Sequence, residues 1–102
     1  MDDDASRTPA GALRVSRDDD RSRYTGHLDG ELATVIDFTR HGDVLTFTHT
    51  GTEPRFRGRG LAGETTRQAF ADVRAAGLTV EPVCSFTVAY FAGHPEVADL
   101  RA

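Results

Sequence analysis

Three arginines and three glycines occur within nine residues of the sequence, in RFRGRGLAG at positions 55–63. This loop follows a strand-like segment and opens a helix-like one. The first amide groups of a helix lack intrahelical partners, and the helix dipole places partial positive charge there. Glycines let such a backbone approach a ligand closely, and arginines add bidentate contacts to phosphate oxygens. The residue types favour an anion site, with an ordinary solvated turn as the alternative.

Two common phosphate motifs do not fit this loop. It lacks the Gly-Lys-Ser/Thr ending of the nucleoside triphosphatase loop. The dinucleotide motif G-x-G-x-x-G belongs to a parallel sheet, whereas the strands predicted before this loop are antiparallel. The motif comparison therefore leaves the identity of the anion open.

The elements that must position the loop follow from hydrophobic periodicity. Alternation of apolar and polar residues predicts four strands joined by short turns, with a hairpin signal at Asp29-Gly30. These strands form an antiparallel meander and are expected at 11–18, 23–30, 31–40 and 44–50.

The same alternation predicts which side chains share a face. In the third strand the face is formed by Leu32, Thr34, Ile36 and Phe38. In the fourth strand His49 is expected on the face of Leu45 and Phe47, where a core histidine is the alternative to a chemical role.

The spacing of apolar residues becomes helical at Leu61, and Gly77 is a suitable residue to end that helix. A short strand is expected at 78–83 and a second helix at 86–93, before Pro95. The order β-β-β-β-α-β-α predicts an α+β domain.

Length and composition limit the class of protein. The 102 residues suit one domain, which we expect over 12–102 after a flexible tail at 1–11. The net charge of −4 opposes a general nucleic-acid binder, and no apolar run is long enough to span a membrane. The single Cys84 and the acidic, polar N-terminus favour a reducing cytoplasm. One cysteine and four scattered histidines predict no metal site.

A family resemblance gives the anion an identity. RGRGLA at 57–62 matches the signature Q/R-x-x-G-x-G/A of the GNAT superfamily, the acetyl-CoA-dependent N-acetyltransferases. With HT at 49–50 and the segment GLTVEPVCSFTVAYFAGHPEVADL at 77–100, the chain resembles a minimal GNAT-like group with one cysteine after the last strand. The resemblance covers most of residues 13–100.

The resemblance implies a truncated GNAT core in which the strand at 44–50 splays away from the strand at 78–83. Acetyl-CoA would lie in the resulting cleft as cosubstrate. Its acetyl-pantetheine would contact the backbone near Thr48, His49 and Thr50. Its pyrophosphate would rest on the amides of Arg57, Gly58, Arg59, Gly60, Leu61 and Ala62. The helical Gly63 then suggests close packing by the cofactor or a neighbouring strand.

Three side chains are candidates for the chemistry that the resemblance implies. Cys84 could accept the acetyl group as a thiolate, activated by the helix that begins near Ser85. His49 ends the strand nearest the expected thioester and belongs to a residue type suited to proton transfer. Tyr90 lies near the position of the family's general acid for the departing thiolate, and Phe91 is the alternative residue at that position. Many relatives have an acidic residue after the HT pair, where this chain has Gly51.

The sequence thus predicts an acetyl-CoA-binding N-acetyltransferase that acts by direct transfer or through a Cys84 acyl-enzyme. Its acceptor is an unidentified amine, for which a peptide or protein is one candidate. One alternative is a non-catalytic module that binds or senses acyl-CoA. A second is an RNA-binding adaptor that uses the arginine loop, which the acidic net charge disfavours. We expect neither nucleic acid nor a membrane as partner.

Overall fold

Five strands form one sheet in the computed structural model, which describes residues 13–102. The expected tail at 1–11 lies outside the described residues. The strands lie side by side in chain order: β1 (Leu13–Asp18), β2 (Arg23–Leu28), β3 (Glu31–His41), β4 (Val44–Thr52) and β5 (Thr79–Pro82). The first four are antiparallel, as predicted, and β5 is parallel to β4.

Two α-helices complete the predicted order and confirm the α+β class. They are α1 (Leu61–Ala75), which connects β4 to β5, and α2 (Ser85–Gly93). Two short 3-10 helices, Pro54–Phe56 and Pro95–Leu100, precede α1 and follow α2. The sequence did not predict the second of these, which brings Leu100 into the core and leads Arg101 to pair with Val80 of β5.

The hairpin signal between β2 and β3 is confirmed by the backbone. Asp29 and Gly30 have φ of 52° and 82°. Two successive left-handed residues form the turn type whose twist matches that of antiparallel strands.

The core lies between one face of the sheet and the two helices. Aromatic rings connect these layers: Phe47 of β4 lies 5.9 Å from Phe70 of α1, and Phe70 lies 5.1 Å from Phe91 of α2, measured between ring centroids. Tyr24 of β2 is fully buried in this core, and its hydroxyl donates to Asp72 Oδ2 of α1 at 2.7 Å. Both helices therefore pack on the same side of the sheet.

A bulge in β3 corrects the predicted face of Leu32. Gly26 pairs with Thr34 and His27 with Leu32, so Ala33 is an extra residue in the ladder. Ala33 is buried, whereas Leu32 is 38% exposed. One inserted residue reverses the alternation before it, because side chains of a strand alternate with a period of two.

A second bulge, in β4, corrects the predicted face of His49. Phe38 pairs with Phe47 and Asp37 with His49, which leaves Thr48 as the extra residue. His49 therefore shares the outer face with Asp37, and its side chain is exposed. Thr50 takes the core-facing side opposite Ile36.

The strands β4 and β5 are paired over only part of their length. The parallel ladder ends where Phe47 meets Pro82, whereas β4 continues to Thr52. The amides of Val83 and Cys84 both donate to the Phe47 carbonyl, so the following chain turns away from β4 there. A gap opens beyond Phe47.

Within residues 13–102, no helix is long and apolar enough to cross a bilayer.

Candidate functional site

A cleft of about 560 Å³ occupies the gap beyond the paired part of β4. Its walls come from β3, the end of β4, the start of α1 and the start of α2. The lining residues are Ala33, Thr34, Val35, His49, Thr50, Gly51, Thr52, Glu53, Arg57, Ala62 and Phe86. The cleft thus reaches from the free part of β4 to the arginine-glycine loop.

Two glycines of the loop have left-handed backbones, Gly58 with φ of 79° and Gly60 with φ of 72°. Other L-residues adopt this conformation only at a cost, so glycine is required here by backbone geometry. Gly60 is the N-cap residue of α1, and within residues 13–102 no side chain caps this helix start. The first amide groups of α1 and the positive end of its dipole are therefore available to an anion.

The arginines of the loop differ in their contacts. Arg55 forms an ion pair with Glu31, with 2.8 Å between nitrogen and oxygen. The Arg57 side chain lines the cleft, with Nε 3.5 Å from the Thr52 carbonyl oxygen. The Arg59 guanidinium lies over the ring of the buried Phe56, 5.4 Å from its centroid. Arg57 is thus the arginine of the loop that lines the cleft.

Gly63 lies in the first turn of α1, where the described residues leave open space beside it. A Cβ atom built at this position meets no heavy atom within 4 Å outside its own helix and chain neighbours. The expectation that a neighbouring strand packs against Gly63 is therefore wrong. The expectation that the cofactor approaches there stays a prediction.

Cys84 is the N-cap residue of α2 and is partly buried. Its thiol donates to Thr50 Oγ1 at 3.5 Å, across the gap between β4 and α2. Burial raises the pKa of the thiol, but the Thr50 hydroxyl and the amides of Phe86 and Thr87 favour the thiolate. These effects together place the pKa of Cys84 below its ordinary value.

His49 lies in the wall of the cleft on the free part of β4, with its side chain exposed. Its ring extends along the strand toward Gly51. Asp37, its partner in the sheet register, forms an ion pair with Arg23 at 3.1 Å.

Tyr90 lies outside the cleft. Its ring stacks on His94 with centroids 3.9 Å apart and contributes to a separate pocket of about 320 Å³ with Arg67 and Glu96. Burial and the Glu96 carboxylate raise the pKa of the phenol, which therefore keeps its proton at neutral pH. The structure does not bring Tyr90 together with His49 at the cleft.

The structure also identifies one residue and one contact that the sequence did not predict. Phe86 lines the cleft from α2, and Thr50 is the hydrogen-bond partner of Cys84. Neither role has a local signal, because each depends on two elements that meet only in the fold. In the described part of the chain, no three His, Cys, Asp or Glu side chains are grouped to hold a metal ion.

Comparison with known proteins gives consistent matches. The family model described as GCN5-related N-acetyl-transferase matches residues 23–100. A GCN5-like protein from Staphylococcus aureus, solved by NMR, is 15% identical, with a TM-score of 0.66 over 89% of each chain. The ribosomal-protein-S18-alanine N-acetyltransferase from Escherichia coli is 12% identical, with a TM-score of 0.58 over 70% of this chain.

At these identities the two structures show a shared fold. The matched region spans 49% of the Escherichia coli enzyme, about half its length. No curated protein sequence matches the chain.

Proposed function

The chain belongs to the GCN5-related N-acetyltransferase family, and we propose that it binds acetyl-CoA and transfers the acetyl group to an amine. The observation that carries this proposal is the meeting of two features at one cleft. The peptide groups of β4 lose their β5 neighbour beyond Phe47, and the uncapped start of α1 lies at the other end. An extended ligand with an anionic group fits both features.

We assign the pyrophosphate to the loop at residues 57–62. The left-handed turns at Gly58 and Gly60 lead the chain into an uncapped helix start, which favours a bound anion. Arg57 and Arg59 are exposed beside it and can add charge-assisted hydrogen bonds. The open space beside Gly63 supports a close approach of the same ligand.

We assign the pantetheine arm to the free part of β4 at residues 48–50. A strand that has no neighbour along one edge presents alternate N–H and C=O groups on that edge. An extended amide chain can pair with such an edge as an added strand does. Thr48, His49 and Thr50 follow the last residue that pairs with β5, which supports this assignment.

In the reaction that follows, the acceptor nitrogen attacks the thioester carbon. A C–N bond forms, the C–S bond breaks, and the electron pair of that bond leaves with the CoA sulfur. His49, exposed in the cleft wall, takes the proton from the amine. The thiolate of CoA is protonated by solvent, since Tyr90 lies in the separate pocket.

A second route passes through Cys84. Its lowered pKa, its position at the start of α2 and its contact with Thr50 favour a thiolate that can attack the thioester. Cys84 would then carry the acetyl group as a new thioester while CoA leaves as the thiolate. An amine would release the acetyl group and restore the thiol. In both routes the acetyl group is transferred to the amine, and water does not attack the thioester.

We propose the amine of a peptide or protein as the acceptor. The Escherichia coli protein of related fold is named for the alanine of a ribosomal protein, which is such an acceptor. His49 lines the cleft and has an exposed side chain, which supports an approach of the acceptor from the face of the sheet opposite the helices. The reducing cytoplasm expected from the lone cysteine is the proposed location.

The first experiment measures the melting temperature with and without acetyl-CoA. A ligand at 100 times its Kd stabilises the folded state by about 2.7 kcal/mol, so the melting temperature should rise. An unchanged melting curve at millimolar acetyl-CoA would contradict binding altogether.

The second experiment measures the release of CoA thiol with a panel of amines that includes a peptide beginning with alanine. The transferase predicts faster release with at least one amine, whereas a non-catalytic acyl-CoA-binding module predicts stabilisation without release. The Tyr90→Phe variant should release CoA at a rate close to that of the wild type. Mass spectrometry after a rapid quench should show an acetyl adduct that Cys84→Ala abolishes if the covalent route operates.

A further inference from the structure

Gly51 lies inside β4, and its backbone conformation is one that any residue can adopt. Its φ is outside the left-handed region that Gly58 and Gly60 occupy. Glycine weakens a strand because it has no side chain to pack and loses more conformational freedom on folding. A glycine at such a position is best explained by a close approach of another group.

The group that approaches Gly51 is the ring of His49. A Cβ atom on Gly51 would lie 3.1 Å from His49 Nε2, 3.9 Å from His49 Cδ2 and 3.5 Å from Val35 Cγ2. The imidazole therefore lies over the missing side chain of Gly51, beside Val35. We call the space bounded by Gly51 and Val35 the imidazole seat.

His49 and Gly51 share one face of β4 because side chains of a strand alternate with a period of two. The bulge at Thr48 turns that face away from the core and places His49 opposite Asp37 and Gly51 opposite Val35. All three residues of the arrangement, His49, Gly51 and Val35, line the cleft. The ring thus rests along the free part of the strand, with Nε2 toward Gly51.

We infer that Gly51 is a positioning residue. Because it has no side chain, the His49 imidazole can lie against it, where the ring can take the proton of the acceptor amine. This inference rests on the proposed function. A Cβ atom at position 51 would press on the ring, and in this chain a branched side chain would fill the imidazole seat and displace the ring. The charged residues around this part of the cleft are Asp37, the register partner of His49, with its ion-pair partner Arg23, and Glu53 and Arg57, which line the same cleft as His49. Cys84 lies behind Thr50.

The seat is tested first in the wild-type protein by NMR. Nuclear Overhauser effects should connect the ring protons of His49 to the α-protons of Gly51 and the methyl groups of Val35. Their absence would overturn the inference whatever the enzymatic activity.

The role of the seat is tested by the graded series Gly51→Ala and Gly51→Val. In the Ala variant the His49 ring has to shift by a few tenths of an ångström, whereas in the Val variant the branched side chain fills the imidazole seat. We expect kcat/KM for acetyl transfer to an alaninamide probe to fall in that order, by about tenfold or more for Val. The melting temperature should change little, because valine suits a strand.

A double-mutant cycle separates positioning from a structural effect. If Gly51 acts through His49, then Gly51→Val should cause no further loss in the His49→Gln background, and both single variants should lose the same limb of the pH–rate profile. Additive losses, or an unaltered pH profile in Gly51→Val, would overturn the inference. If acetyl-CoA does not stabilise the wild-type protein, the proposed function is contradicted instead. The NMR measurement would still show whether the His49 ring lies in the imidazole seat.

Discussion

Cys84 shows how one side chain acquires an unusual environment from two elements that are far apart in sequence. Its thiol lies at the start of α2 and contacts Thr50 of β4. A lone cysteine is commonly a small buried hydrophobe with an inert thiol. Here the hydroxyl and the helix amides favour the thiolate, so the residue is set apart by its contacts.

The first prediction concerns the pH at which Cys84 reacts. Because its pKa is lowered, the rate of alkylation by iodoacetamide should reach half its maximum at a lower pH than it does for an unperturbed cysteine. Thr50→Val removes a group that favours the thiolate, so its midpoint should move to higher pH. Rates are measured by mass spectrometry from pH 6 to 10.

Thr46→Val is the matched control, since Thr46 lies on the same strand and its hydroxyl binds Glu81. Its midpoint should equal that of the wild type. Equal midpoints for Thr50→Val and the wild type would show that the hydroxyl does not stabilise the thiolate.

At the scale of elements, the start of α1 combines two glycines in left-handed conformations with a helix N-terminus that has no side-chain cap from the described residues. Gly58 and Gly60 relieve the cost of the left-handed turns, and the first amides of the helix receive no side-chain cap. A polar N-cap side chain usually stabilises a helix by about 1 kcal/mol relative to alanine, but by only a few tenths relative to glycine, the N-cap residue of α1. This helix does without one, which is expected if the loop serves an anionic ligand.

The second prediction compares two glycines with the same backbone conformation. Gly60 and Gly42 have φ of 72° and 60°, and a Cβ atom added to either would meet no atom of the described residues within 4 Å. Gly60→Val and Gly42→Val should therefore each lower the free energy of unfolding by about 1–2 kcal/mol. Only Gly60→Val should also abolish the stabilisation by acetyl-CoA, as measured by calorimetry. Undiminished affinity in Gly60→Val would contradict the pyrophosphate assignment.

At the scale of the whole molecule, one polar cluster ties the sheet to the helix layer. The fully buried Tyr24 of β2 donates to Asp72 of α1, and Arg17 of β1 pairs with the same carboxylate. Three elements thus meet at one carboxylate beside an aromatic core. Buried polar groups stabilise a fold when each has a partner, as this phenol has.

The third prediction follows from the pKa of Tyr24. Burial, together with the hydrogen bond to Asp72, raises the pKa of the phenol well above its ordinary value. The folded state therefore keeps a proton that the unfolded state loses near pH 10. The contribution of Tyr24 is complete below that pH, and the free energy of unfolding should fall as the pH rises further, by up to about 1.4 kcal/mol per pH unit.

Urea unfolding between pH 8 and 11.5 measures this slope, which the absence of lysine from the chain makes easier to interpret. Tyr24→Phe should lack most of the slope and be less stable at pH 8. Tyr90→Phe, which changes the less deeply buried tyrosine, should retain most of it. A wild-type stability that does not change across this range would contradict the prediction.

Much of the fold was predictable because it depends on local geometry. The period of two predicted β2, β3 and β4, and the period of 3.6 predicted α1 with its end near Gly77. The 3-10 helix at Pro95–Leu100 was not predicted, because its short apolar pattern becomes meaningful only when Leu100 reaches the core.

The candidate site was predictable in one part and not in another. The glycines and arginines of the loop at residues 57–62 indicated an anion site, and the backbone angles of Gly58 and Gly60 explain why those glycines are there. The strand end was misjudged at His49, because the Thr48 bulge moved this residue to the opposite face. No local pattern signals an inserted residue in a strand that otherwise alternates.

The sequence by itself determined the order of elements, the loop that opens α1 and the family resemblance, since each depends on residues adjacent in the chain. Only the tertiary structure decided that His49 faces outward over Gly51, that Thr50 contacts Cys84 and that Tyr90 lies in a separate pocket. The physical reason is the range of the interactions. Periodicity and turn chemistry act within a few residues, whereas the register of a ladder and the contacts across a cleft are set by strands and helices that pack together only in the folded chain.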